Sequence, residues 1–176
     1  MRDRKTGFLF KYSVEKTAEK GMGVFARERI SKGSVVWRHM PCIFTVYDES
    51  TFRSEIEKLS HAEVVYELEH VFGLEDFPGC LIRALDDGVF INHSKDENLA
   101  TNTAEGPSNL VDVKAPDYLQ RVSKALCDDR YSLIATKDIQ IGEELTNNYA
   151  AEDDCPPYYY ALCDQYGVNE DFIDDE

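Results

Sequence analysis

The run "GVFINHSKDENLATN", Gly88 to Asn102, leaves an apolar stretch in an unusual way. Val89, Phe90 and Ile91 read as a buried strand. Asn92, His93 and Ser94 follow directly, placing three hydrogen-bonding side chains against a hydrophobic run. Polar groups in such a position must be satisfied internally, which poses the question of what satisfies these three. Taken alone, Asn92 reads equally as a turn-former and His93 as a satisfied core histidine.

Around this run the chain has 176 residues and 43% hydrophobic content, which fits one globular domain spanning 1–176 rather than a disordered chain. No uninterrupted apolar stretch approaches the roughly 20 residues needed to cross a bilayer, so no membrane role is expected. The opening "MRDRKTGFLFKYSVEK" lacks the apolar segment and small-residue cleavage site of a secretory signal. Five cysteines, at positions 42, 80, 127, 155 and 163, form no C-x-x-C pair. That pattern suits reduced thiols in a nuclear or cytoplasmic protein.

The net charge of −15 is unevenly spread. Residues 1–40 hold ten Lys/Arg against four Asp/Glu, and residues 41–176 hold nine against thirty. Such a field repels nucleic-acid phosphates and favours a basic protein or peptide partner; it equally serves solubility.

Short apolar runs punctuated by glycine and charge dominate, which predicts a mostly β body with short helices. The strand candidates are 8–14, 22–27, 34–38, 42–47, 80–85, 89–91, 99–103, 130–136 and 144–149. A helical insert is expected over about 50–75. There Ser60 and Glu63 form an S-x-x-E capping box, and Val64, Val65, Leu68, Val71 and Phe72 recur at helical spacing. Residues 115–127 predict a helix with Leu119, Val122 and Leu126 on one face. "PPYYYALCDQYG" (156–167) predicts another, opened by proline and stopped by Gly167, before an acidic tail at 168–176.

Singly, the remaining motifs are ambiguous. "KGMGVFA" (20–26) has a G-x-G that serves a turn as well as a close backbone approach to a ligand. Tyr149, ending "GEELTNNY", reads as a packed aromatic as well as a functional phenol. In order, however, "KGMGVFARERISKGSVV", "FINHSKDENLATN" and "SLIATKDIQIGEELTNNY" resemble the SET-domain family of protein-lysine methyltransferases, over about residues 20–150.

The resemblance implies a β-clip fold, with core about 8–150, in which the N-H-S segment threads a loop made by the G-E-E-L-T-x-x-Y segment as a C-terminal pseudoknot. Such threading is rare in proteins generally. It implies S-adenosylmethionine as cofactor, with Asn92 and His93 lining its pocket, backbone groups of Gly21, Met22 and Gly23 facing it, and Lys20 as a candidate for its carboxylate. Tyr149 matches the family's catalytic tyrosine.

The implied reaction is displacement by a neutral lysine amine, and it requires no metal. A lysine with pKa near ~10.4 must first be deprotonated, which burial beside a positive sulfonium favours. Alignment in a narrow channel supplies part of the roughly 7–11 kcal/mol available from positioning. Asn147, lining that channel, stands where the family usually has Phe or Tyr, at a site linked to how many methyl groups are added. Lys95 and Glu97 stand where the family often has cysteine and proline.

Many relatives also carry a C-terminal zinc-binding cysteine cluster. Here only Cys155 and Cys163 lie in that region, too few for a four-ligand site. The aromatic helix either closes the channel, with one of Tyr158, Tyr159 or Tyr160 on the adenine, or packs its tyrosines on the body. A histone tail or another basic protein is the expected substrate. The contrasting reading is a catalytically silent module that binds a basic peptide or partner protein.

Overall fold

The computed structural model describes residues 5–102, 114–149 and 154–168. A hairpin comes first: β1 (Tyr12–Lys16) pairs antiparallel with β2 (Met22–Ala26), from Tyr12↔Ala26 to Lys16↔Met22. The return is made at Gly21, whose φ of 78° suits a residue without Cβ. Ahead of β1, Phe8 bridges to Trp37 in β3 (Val35–Trp37), so the expected 8–14 strand begins as an isolated bridge and becomes continuous only at Tyr12.

The expected helical insert is two helices and a strand. α1 (Glu49–Ile56) is capped by Asp48, whose carboxylate accepts from Thr51 N at 2.8 Å. α2 (His61–Leu68) starts at the foreseen box, with Glu63 accepting from Ser60 N at 2.8 Å. The periodic reading fails beyond Leu68. Val71 and Phe72 form β5 (Val71–Phe72) and pair with Arg83 and Ile82 of β6 (Leu81–Ala84). β6 also pairs with β4 (Phe44–Tyr47), giving a sheet in the order β4-β6-β5.

The expected strand 89–91 is also corrected. Asp87–Phe90 is a 3₁₀ turn, because the Asp86 carboxylate accepts from Gly88 N at 3.0 Å and closes the chain at that point. The same buried carboxylate accepts from Gly7 N at 2.7 Å, Thr6 Oγ1 at 3.0 Å and Trp37 Nε1 at 3.0 Å. Val89 and Phe90 still pack on the core, and Ile91 is buried.

After the turn come β7 (Asn92–His93) and β8 (Leu99–Thr101). Thr103, the last residue of the expected 99–103 run, lies outside the described residues. α3 (Tyr118–Leu126) buries Tyr118, Val122 and Leu126 against the β4-β6 sheet. A 3₁₀ turn, Asp129–Tyr131, takes the start of the expected 130–136 run and leaves β9 as Leu133–Ala135. β10 is Thr146–Asn147, shorter than the expected 144–149. The larger sheet runs β3-β9-β8-β10-β7. The last helix, α4 (Pro157–Tyr166), has the proline start and left-handed Gly167 stop that its sequence predicts; the tail at 169–176 lies outside the described residues.

Candidate active site

β10 runs between β7 and β8 and parallel to both. Thr146 pairs with Asn92, Asn147 with His93, and Asn147 also with Leu99. The five residues 94–98 therefore carry the chain from one side of β10 to the other. This is the interlock, and it supplies the partner that the polar run Asn92–Ser94 requires. Ser94 N donates to Asn147 O at 3.0 Å, and Asn98 N to Thr146 O at 3.2 Å.

Asn98 completes it with its side chain. Nδ2 donates to Glu144 O at 2.7 Å, and Oδ1 accepts from Thr146 N at 2.9 Å. One buried carboxamide thus acts as a length of strand edge beside residues 144–146. Sequence reasoning missed Asn98, because its partners lie far along the chain and leave no periodic signal.

Tyr149 emerges just beyond β10 and meets the end of the 3₁₀ turn. Its hydroxyl donates to the Ile91 carbonyl, and its backbone N–H donates to His93 Nδ1 at 3.1 Å. A backbone N–H can only donate, so Nδ1 is the accepting nitrogen and the neutral ring carries its proton on Nε2. The two rings lie 5.5 Å apart, tilted by 51°.

Asn92 and the G-x-G strand form the adjoining wall. Asn92 Nδ2 donates to Met22 O at 3.0 Å and to Glu144 Oε1 at 2.7 Å. Lys20 Nζ reaches the His93 carbonyl at 2.6 Å. Gly23 lies where a Cβ would stand 2.5 Å from Glu144 Oε1, so the backbone approaches the carboxylate closely because there is no side chain. Direct contacts thus join Lys20 to His93, Met22 and Gly23 to Asn92, and His93 to Tyr149, with Gly21 next in the chain to Lys20 and Met22. Asn147 joins them through β10, with its Oδ1 turned back to accept from Asn148 N at 2.7 Å. Glu144 is the second residue that sequence reasoning missed: it stands there only as the first residue of the expected strand 144–149.

The donor set suits a molecule with a cationic amine and a carboxylate. Asn92 Oδ1 is an acceptor, Lys20 is a cation, and the backbone at Gly21 has open space where a Cβ would be. Among the described residues, no group of three or more His, Cys, Asp or Glu side chains is placed to hold a metal ion. All five cysteines are free thiols.

α4 takes the packing alternative for two of the three candidate tyrosines. Tyr158 and Tyr159 sit on the apolar cluster of α1, α2 and β5, and Tyr159 OH donates to Leu68 O at 3.2 Å, satisfying a carbonyl at the end of α2. Tyr160 is exposed, edge-on to Tyr159 at 5.4 Å.

Comparison with known proteins agrees with this architecture. The family model described as SET domain matches residues 21–150. The Neurospora SET domain protein DIM-5, a histone lysine methyltransferase, aligns at TM-score 0.52 and 21% identity, over 81% of this chain and 53% of its own. The methyltransferase domain of human Histone-lysine N-methyltransferase SETMAR aligns at TM-score 0.52 and 22% identity, over 81% of this chain and 45% of that one. The chain thus spans about half the length of either structure, and at these identities the likeness is one of fold. No curated protein matches the chain by sequence.

Proposed function

The chain belongs to the SET-domain family, and on that premise we propose that it is an S-adenosylmethionine-dependent protein-lysine N-methyltransferase acting on a histone tail or another basic protein. The observation that carries the reading is the meeting of Tyr149 with His93 and Ile91 beside the Asn92–Met22 contact. Residues from three distant stretches converge there, which supports the reading.

When bound, S-adenosylmethionine supplies the methyl group and its own leaving group. The chain's part is to bind, orient and desolvate. Asn92, His93 and the backbone at Gly21–Gly23 hold the cofactor, and Lys20 meets its carboxylate. Tyr149 places a phenolic oxygen and a ring face beside the reacting atoms. Its hydroxyl donates to the Ile91 carbonyl, which fixes the phenol's position, and a phenolic oxygen and ring face favour a carbon or nitrogen carrying positive charge. A phenol with pKa near ~10 is a poor base at neutral pH, so solvent takes the lysine's proton as the amine enters. Asn147 lines the lysine channel.

The net charge of −15 supports a substrate lysine flanked by basic residues and argues against direct nucleic-acid binding. Free cysteines support a nuclear or cytoplasmic location.

The deciding experiment is methyl transfer to histones and to whole-lysate proteins, read by mass spectrometry, with calorimetry of S-adenosylmethionine alongside. Wild type is expected to bind cofactor and methylate lysine. Tyr149→Phe is expected to keep the fold and cofactor affinity while losing turnover by about a hundredfold or more, the scale of a misplaced reacting group. Full activity in Tyr149→Phe removes the tyrosine's role. Absence of cofactor binding by wild type removes the enzyme reading and leaves the silent module.

A further inference from the structure

Asn92 faces two groups that can only accept. Its Nδ2 donates one proton to the Met22 carbonyl at 3.0 Å and the other to Glu144 Oε1 at 2.7 Å. A carboxamide offers a donor end and an acceptor end of nearly equal size, and its neighbours decide which end a ligand meets. With both N–H groups used, Oδ1 is the end left for a ligand. The Met22 carbonyl alone holds one proton; the carboxylate engages the second with the stronger, charge-assisted bond.

We propose that Glu144 is a positioning residue that fixes Asn92 with Oδ1 outward, so that this corner of the site takes a ligand's cationic amine. The ligand group is the α-ammonium of S-adenosylmethionine or its demethylated product. The proposal rests on the reading of Asn92 as a cofactor residue given above.

Two further features belong to the same device. A Cβ on Gly23 would stand 2.5 Å from Glu144 Oε1, 2.8 Å from Thr17 Cγ2 and 3.1 Å from Asn92 Nδ2. The second glycine of G-x-G is therefore the space in which carboxylate and carboxamide meet. Gly21, by contrast, is a turn glycine with φ of 78° and nothing within 4 Å of its Cβ position. The backbone of Glu144 is held independently of its side chain: the residue bridges to Phe25, and its carbonyl accepts from Asn98 Nδ2 at 2.7 Å. The carboxylate is thus aimed from a fixed point.

The test uses the full chain as wild type, Glu144→Ala and Glu144→Gln. In cofactor-free protein, the Asn92 side-chain amide is followed by NMR, its signal assigned by its loss in Asn92→Asp. Wild type should show two amide protons protected from exchange, and Glu144→Ala should lose protection of one. Unchanged protection in Glu144→Ala overturns the proposal whatever the protein binds.

Calorimetry then compares S-adenosylhomocysteine with methylthioadenosine, which keeps the adenosine and thioether but lacks the amino-acid end. Glu144→Ala should weaken S-adenosylhomocysteine by about tenfold or more, as loss of an oriented hydrogen bond to a charged group predicts, and leave methylthioadenosine within about twofold. Glu144→Gln, which keeps an acceptor oxygen at the same reach, should restore most of the affinity. In an Asn92→Ala background, Glu144→Ala should add nothing. Equal weakening of both ligands, a Gln variant as weak as the Ala variant, or additivity with Asn92→Ala would each overturn the proposal, since each means that Glu144 acts by charge or by general stability. Should Glu144→Ala fail to fold, Glu144→Met fills the space without an acceptor and carries the same comparisons. If wild type binds neither ligand, the methyltransferase reading falls, and the NMR measurement still decides the orientation of Asn92.

Discussion

The face built from Asn92–Leu99 and Glu144–Tyr149 and the unit built from α1, α2, β5 and α4 are held together by opposite means. On the first, backbone and carboxamide hydrogen bonds do the joining: Asn98 to Glu144 and Thr146, Asn92 to Met22 and Glu144, Tyr149 to His93. On the second, Phe52, Ile56, Val64, Leu68 and Leu162 bury apolar area with few polar contacts. Hydrogen bonds are directional and fail when one atom moves, whereas apolar burial tolerates repacking. A ligand site needs fixed donors and acceptors, whereas a packing unit needs only a dry interface. His39 lies at the seam between the two sheets, its ring edge-on to Trp37 of β3 at 4.6 Å and to Phe44 of β4 at 5.1 Å.

Four substitutions would break or sharpen this contrast. The largest effect is expected from Phe52→Ala, which empties a fully buried site in the apolar unit. It should cost about 4 kcal/mol in urea unfolding and leave cofactor affinity nearly unchanged; a parallel loss of binding would mean that the regions are one cooperative site. Asn98→Ala comes next. It strands the Glu144 carbonyl and the Thr146 N–H, at about 3 kcal/mol, and unlike Phe52→Ala it should weaken cofactor binding as well.

At the seam, burial lowers the pKa of His39 from 6.5 to about 4, because the charged ring is poorly solvated there. The unfolded chain then binds a proton that the folded one refuses between those values. Stability should fall as pH drops below 6.5 and level off below 4, by about 2 kcal/mol between pH 7 and pH 5. His39→Phe should flatten that dependence in denaturation at the two pH values. A slope that survives the substitution would assign it to other groups. The smallest effect is expected from Tyr159→Phe, which removes one hydrogen bond to Leu68 O. A shift of about 1 kcal/mol in stability, with activity intact, would fit a packing helix; lost activity would place α4 at the reaction.

These differences also explain what could be read in advance. The polar face was legible as motifs, since G-x-G, N-H-S and G-E-E-L-T-x-x-Y come in one order, but not as contacts. Asn98 and Glu144 find partners dozens of residues away, and no local period records that. The apolar unit was legible as burial and only partly as backbone. Proline and glycine punctuation placed α4 closely, and the Ser60–Glu63 box placed the start of α2. Val71 and Phe72 are β-branched and aromatic, and so short an apolar run suits strand as well as helix; pairing with β6 decides it. Val89–Ile91 shows the same limit, where hydrophobicity announced burial and the Asp86–Gly88 contact set the backbone.

The placement of β10 between two segments already joined to each other also bears on how the molecule is made. The bonds between residues 91–98 and residues 144–149 close gaps of 46 to 58 residues, and such distant pairings form slowly because a long loop must be ordered first. During synthesis the bracket at residues 94–98 leaves the ribosome well before the strand it will enclose. Assembly of the candidate site therefore waits on residues 144–149, and a chain halted before them would lack the strand that its 92–98 segment brackets.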